Sequence, residues 1–279
     1  MFTWLKDRFR RGPIVPVVSL NGVIVAGSRF GQRGLSMEST AAVLRRAFNT
    51  KGAKAVALSI NSPGGSPVQS ALIAARIRLL AAEKGLPVIA FVEDVAASGG
   101  YWLACAADEI VANPSSIVGS IGVISAGFGF QELIARYGVE RRVHTSGERK
   151  AMLDPFQPEK EEDVARLKSL QAEIHDDFKK WVRERRSAKL KGDDATIFSG
   201  EFWTGRRGLE LGLIDGLGDL RSTLQARYGA KVRLPMIATR RSLFARFGLG
   251  SRVSGRLDEI GPATVAAIEE RLHWQRFGL

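Results

Sequence analysis

Cysteine is nearly absent: Cys105 is the single one in 279 residues. That excludes an intrachain disulfide and a cysteine-built zinc cage. Histidine is almost as scarce, and His144, His175 and His273 lie too far apart for a metal motif, so no cofactor is expected. No window approaches the roughly 18 apolar residues of a bilayer-crossing helix. The first residues lack the apolar stretch of a secretory signal. Neither Gly-x-x-x-x-Gly-Lys-[Ser/Thr] nor Gly-x-Gly-x-x-Gly occurs, which argues against a phosphate-cradling loop. No helix-turn-helix, RRM or zinc-finger signature supports specific nucleic-acid recognition. Internal repeats and low-complexity stretches are also missing. What is present, 45% hydrophobic and 25% charged residues, is ordinary for a folded globular chain.

Charge is distributed unevenly. The net charge is +12. Residues 1–13 hold +3 and residues 221–279 hold +7, leaving +2 for 14–220. Basic ends around a nearly neutral middle suggest a chemical domain whose termini meet an anionic surface, or simply keep the protein in solution. Phe2, Leu5 and Phe9 are spaced by three and four, with Trp4, Lys6, Arg8, Arg10 and Arg11 among them. That pattern fits a short interfacial helix. The expected location is cytoplasmic, or peripheral to the cytoplasmic face of a membrane.

Hydrophobic periodicity alternates between strands and helices. Strands are predicted at Pro16–Leu20 and Val23–Ala26, as a hairpin around Asn21-Gly22. Further strands are predicted at Ala53–Ile60, Pro87–Val92, Glu109–Ala112, Val118–Ser125 and Glu140–Thr145. Helices are predicted at Ser36–Asn49, Ser66–Lys84 with Gly85 as its cap, Ser98–Ala106, Phe130–Tyr137, Pro158–Lys189, Glu201–Leu211 and Asp219–Tyr228. Buried strands separated by helices imply an α/β fold with a largely parallel sheet. Three segments are expected: a basic amphipathic stretch at 1–13, a catalytic domain at 14–235 and a basic helical extension at 236–279.

Two glycine-rich turns carry the chemistry. In Ala97-Ser98-Gly99-Gly100-Tyr101 a serine follows a buried strand and opens a helix, where N–H groups and the helix dipole favour negative charge. This is the logic of a nucleophile elbow, although an ordinary N-cap serine has the same local sequence. In Asn61-Ser62-Pro63-Gly64-Gly65-Ser66, a second strand end, consecutive glycines can aim bare N–H groups at a developing oxyanion. A serine nucleophile needs a base. His144 is one candidate and Lys150 another. A lysine serves as base only where burial or a neighbouring cation lowers its pKa from about 10.4; Arg149, Met152, Leu153 and Phe156 lie close to Lys150 in sequence. Cys105, also on the short helix, reads as a small packed apolar group.

These two turns, together with Gly119-Ser120-Ile121-Gly122-Val123, Gly147-x-x-Lys150-x-x-x-x-Pro155-Phe156, Phe198-Ser199-Gly200-x-x-Trp203-Thr204-Gly205-Arg206 and Leu209-x-x-Gly212-Leu213-Ile214-Asp215, resemble the signal peptide peptidase A (SppA/SohB-type) serine peptidases over roughly 14–225. The resemblance implies a ClpP/crotonase-like fold of repeated ββα units, here followed by a helical extension. It implies a Ser–Lys dyad of Ser98 and Lys150, with Ser120 orienting the lysine amine and the Gly64-Gly65 turn and Gly99 N–H at the oxyanion. It also implies a homo-oligomeric ring, a tetramer or octamer, in which serine and lysine meet across a subunit boundary. Expected substrates are membrane-derived or signal peptides, or misfolded polypeptides. The alternatives are a crotonase-like acyl-group enzyme, which needs neither Lys150 nor the Ser98 hydroxyl, and a basic scaffold binding anionic surfaces.

Overall fold

Val56–Ser62 (β2) and Val88–Ala97 (β3) are almost continuous apolar runs, the composition of strands covered on both faces. In the computed structural model, which describes residues 12–26, 34–238 and five positions between 271 and 278, these two strands form the centre of a parallel sheet. Val17–Asn21 (β1) pairs with β2, Glu109–Ala112 (β4) with β3, and Gly216–Leu217 (β7) with β4, all in parallel. Beyond Val92 strand β3 changes partner and pairs with Ile117–Gly119 (β5). The exposed Glu93 and Asp94 mark the change. Phe202–Thr204 (β6) closes this branch antiparallel to β5.

One face of the sheet is covered by Met37–Phe48 (α1), Pro67–Lys84 (α2) and the short Gly99–Ala104 (α3). Leu44, Phe48, Leu58, Ile60, Ile73, Ile77, Tyr101 and Leu103 fill the core between them. The alternate side chains Val17, Ala57, Ile89, Phe91 and Val111 form a smaller core with Leu224 of the helix at Leu220–Tyr228 (α8). The α/β class and the parallel sheet agree with the sequence-based expectation. Ser36 caps α1 through a reciprocal pair with Ser39. Gly85 ends α2 with φ of +60°, a left-handed conformation that suits glycine.

Four predicted elements differ. Asn21-Gly22 makes no hairpin: Asn21 stays in register with Asn61, Gly22 N–H donates to Asn61 O at 3.0 Å, and Ile24 bridges Gly65 and Leu35 instead. The start of the predicted Glu201–Leu211 helix is strand β6; Thr204 caps the shorter helix Gly205–Glu210 (α7). The Val118–Ser125 strand stops at Gly119 because Gly119 and Ser120 both turn to positive φ, and Glu140–Thr145 is irregular and exposed. The N-terminal amphipathic segment and nearly all of the C-terminal extension lie outside the described residues.

The region 123–160 stands off the sheet. It contains Gln131–Arg136 (α4), none of whose side chains is buried, and leads into the 26-residue helix Glu161–Arg186 (α5). Two further short helical turns follow α5, at Ser187–Lys189 and at Asp194–Ile197 (α6). Acidic residues in the first turn of α5 and basic ones in its last turn match the helix dipole. Its C-terminal end is anchored by Arg186, whose side chain is 2% exposed and bonds Asp215 at 2.7 Å and Gly212 O at 2.8 Å. Asp215 also bonds Lys189 and accepts from Ile110 N–H. Burial alone would raise the Asp215 carboxyl pKa, but these donors hold it below the usual carboxylate range. A depressed folded-state pKa contributes stability that is complete above about pH 4 and is lost as the pH falls through the folded value. Asp215→Asn should therefore destabilise the fold by about 3 kcal/mol near pH 7 in urea titrations, with the deficit shrinking below about pH 4.

Candidate active site

Parallel register brings the C-terminal ends of β2 and β3 to one edge of the sheet, and both glycine turns sit there. Ser98 is half-buried and adopts φ 51°, ψ −122°, a conformation that costs a non-glycine residue about 1–3 kcal/mol. It is fixed by Ser98 N–H donating to Gly119 O at 2.8 Å and by Trp102 N–H donating to Ser98 O at 3.0 Å. The serine hydroxyl caps no N–H of α3. The ordinary N-cap reading therefore fails, and the hydroxyl is left at the opening of the helix.

Gly64 lies directly against this turn. A Cβ added to it would stand 2.8 Å from both Ser98 Cβ and Gly99 N, at a φ of +103° that L-residues rarely adopt. The neighbouring Gly65 has φ +137°, and a Cβ there would collide with Ile24 O. Ile24 donates to Gly64 O at 2.7 Å and accepts from Ser66 N–H at 2.8 Å. In this parallel pattern the N–H of Gly65 itself faces away from Ile24. Gly99 is the first residue of α3, so its N–H has no acceptor within the helix. The structure thus brings Ser98, Gly64, Gly65 and Gly99 together, with a hydroxyl and two backbone donors in one turn-to-turn contact.

Ser120 is nearby in the chain path. It follows Gly119, has φ +54°, is 8% exposed and donates its N–H to Glu201 O at 2.6 Å. Lys150 is elsewhere. It occupies an exposed turn closed by its N–H to Gly147 O at 3.2 Å, and its side chain makes no hydrogen bond or ion pair among the described residues. His144 is exposed on irregular backbone of the same region. This outlying region is held by its own contacts. Phe130 lies 5.7 Å from Phe156, Arg141 stacks over Phe156, and Arg141 pairs with Asp154 at 2.9 Å. The Phe156 N–H, and then Arg141, keep the Asp154 carboxyl below its ordinary pKa. Ile124, Phe128, Leu133, Tyr137 and Val139 remain exposed on it.

Cys105 is fully buried, and that burial pushes its thiol up to about 12, so it is a protonated packing group, as expected from the sequence. Sequence reading missed His175, whose Nε2 lies 3.0 Å from Ile121 O beside Ser120. A solitary histidine in a long charged helix carries no signal until the fold places the helix against that turn. Among the described residues no group of three or more His, Cys, Asp or Glu is placed to hold a metal.

Comparison with known proteins resolves the family. The description Peptidase family S49 matches residues 81–232, more than half of the chain and all of the region from Ser98 through Lys150 to Asp215. The chain belongs to peptidase family S49. A Brucella abortus protein named Na(+)/H(+) antiporter NhaA is 55% identical over 273 residues, which is 95% of this chain but 37% of that protein. A putative signal peptide peptidase SppA of Enterococcus faecium is 30% identical over 207 residues, 72% of this chain and 59% of the relative. The S49 chain thus spans between about a third and three-fifths of these relatives. No helix among the described residues is long and apolar enough to cross a membrane. Among solved structures, a mutant of the 1510-N membrane-bound stomatin-specific protease aligns with 83% of this chain and 99% of its own at 17% identity and a TM-score of 0.48. The matched family description is that of a peptidase. The Gly64 contact then gives a direct test: the Cβ of Gly64→Ala would push the Ser98–Gly99 turn aside and should cut peptide hydrolysis by about 100-fold, the cost of roughly 1 Å of misplacement, while circular dichroism stays close to that of the parent.

Proposed function

We propose that this S49 chain is an endopeptidase in which Ser98 attacks the peptide carbonyl and Lys150 acts as general base. The observation that carries the reading is the Ser98 turn, a strained serine whose hydroxyl caps no N–H of α3 and whose Cβ packs against Gly64. In the forward step Ser98 Oγ bonds the carbonyl carbon and its proton passes to the neutral Lys150 amine. The N–H groups of Gly65 and Gly99 receive the oxyanion, with Gly64 leaving room for close approach. The amine then protonates the departing peptide nitrogen, and a water activated by Lys150 releases the acyl group. Ser120 orients the lysine amine.

The exposed position of Lys150 supports a dyad completed between subunits. A region bearing Phe128, Leu133, Tyr137 and Val139 in solvent leaves apolar surface uncovered, and a neighbouring copy would cover it and desolvate Lys150. The protein is accordingly a homo-oligomer, a tetramer or octamer. Its substrates are membrane-derived or signal peptides, or misfolded polypeptides. A crotonase-like acyl-group chemistry would leave the Ser98 hydroxyl dispensable.

Ser98→Ala and Lys150→Ala should each abolish peptide hydrolysis, the double variant should be no worse than either, and Ser120→Ala should lower kcat about 10- to 1000-fold. Mixing the two inactive single variants should restore part of the activity, because one boundary then unites an intact serine with an intact lysine. An active monomer in sedimentation analysis would refute the shared site.

The basic, aromatic sequence of the first eleven residues suits the anionic surface of a membrane, at about 1 kcal/mol per basic residue, and a ring would present several copies. The full chain should float with anionic liposomes at low salt, and deletion of residues 1–12 should weaken this. Unchanged flotation after the deletion would remove that segment from the account.

A further inference from the structure

Helix α5 touches three segments around the site. Toward its C-terminus Phe178 stacks on Trp102 with ring centroids 4.6 Å apart, Trp181 Nε1–H donates to Trp102 O at 3.0 Å, and Arg185 Nε–H donates to Cys105 O at 2.9 Å. These contacts clamp α3, which carries Ser98 at its start. In the first turn of α5 the Asp163 carboxylate accepts from Leu153 N–H at 3.2 Å, three residues from Lys150. Between the two lies His175, with Nε2 3.0 Å from Ile121 O. A carbonyl oxygen only accepts, so Nε2 carries the proton and donates it.

The turn that receives this bond is strained. Gly119 and Ser120 both have positive φ, +105° and +54°. Such a conformation in serine persists only where its surroundings hold it. Gly119 O is held by Ser98 N–H, Ser120 N–H by Glu201 O, and Ser120 O by Gly122 N–H. Those are backbone bonds. Among the described residues the His175 ring is the one side chain hydrogen-bonded to the 119–122 turn.

We infer that His175 is a positioning residue for hydrolysis: by gripping Ile121 O it holds the Ser120 hydroxyl where it orients the lysine amine. This rests on the assignment of Ser120 and Lys150 proposed above. With Nε2 committed as a donor to Ile121, the role inferred for His175 is positional and runs through Ser120. A ring on α5 ties the lysine-orienting turn to the same helix that clamps the nucleophile helix.

The test uses the full chain with His175→Phe, which keeps a ring and removes the donor, and His175→Gln, which keeps an N–H. His175→Phe should lower kcat about 3- to 10-fold at unchanged KM, the range for one hydrogen bond, and His175→Gln should recover at least half of the loss. In a Ser120→Ala background His175→Phe should cost nothing further, because the route through Ser120 is already gone. A fully additive loss, or a His175→Phe enzyme with unaltered kcat, would overturn the inference. Amide hydrogen exchange reads the grip without activity. His175→Phe should speed exchange at Ser120 and Gly122 about 3- to 10-fold and leave α3 unchanged. Equal protection in parent and variant would overturn the grip. Faster exchange in a chain whose Ser98→Ala variant still hydrolyses peptide would instead overturn the Ser98 assignment and leave the grip standing.

Discussion

Backbone packs on backbone where Gly64 meets Ser98 and Gly99, and the site depends on that close approach. It requires two strands to end at the same level on the same edge, which only the parallel pairing of β2 with β3 provides. It also requires the absence of a Cβ, since any would lie within 3 Å of the serine. The shift in register between Ile60 and Ser62 brings Ser62 opposite Ala96 and so turns the glycine loop onto the serine. Neither the strain at Ser98 nor the free donors would have chemical meaning if the two turns were a few ångströms further apart.

The cost of that turn is borne by packing outside it. Tyr101, three residues past Ser98, is fully buried and donates its hydroxyl to Leu213 O at 2.7 Å. Leu213 lies between Gly212 and Asp215, which bind Arg186 at the end of α5. The downstream sequence motif ending in Asp215 is thereby explained as support: it places an acceptor for Tyr101 and a partner for a buried arginine. A guanidinium at 2% exposure is stable there because carboxylate and carbonyl oxygens meet its donors.

Much of the fold was legible because its signals are local. Apolar runs marked β2, β3 and β4, Ser36 and Gly85 marked helix ends, and both glycine turns were placed at strand ends. What failed was pairing. Asn21-Gly22 has the composition of a hairpin turn, yet β1 is already committed to β2, and the residues beyond it cross to the Gly64-Gly65 turn. Phe202–Thr204 looked helical beside Gly205-Arg206-Arg207, and only its docking on β5 makes it a strand. The serine and glycines that the structure brings together are legible in sequence because they sit in glycine-rich turns at strand ends. His175 could not, since its partner is a carbonyl 54 residues away with no sequence signature.

The position of Lys150 follows from the same division between rigid and outlying parts. The sheet edge fixes Ser98 through hydrogen bonds with β5 and α3, all within the buried body of the chain. Lys150 belongs to a region whose order comes from Phe130, Arg141, Asp154 and Phe156, and that joins the body through α5. A base on such a region is brought to its nucleophile by whatever covers the exposed Phe128, Leu133 and Tyr137. On the proposed dyad, assembly and not folding of one chain would be the step that brings the lysine to the serine. On that dyad, hydrolysis would be confined to the assembled form, although Ser98 is already strained and Gly64 already packed against it in the single chain.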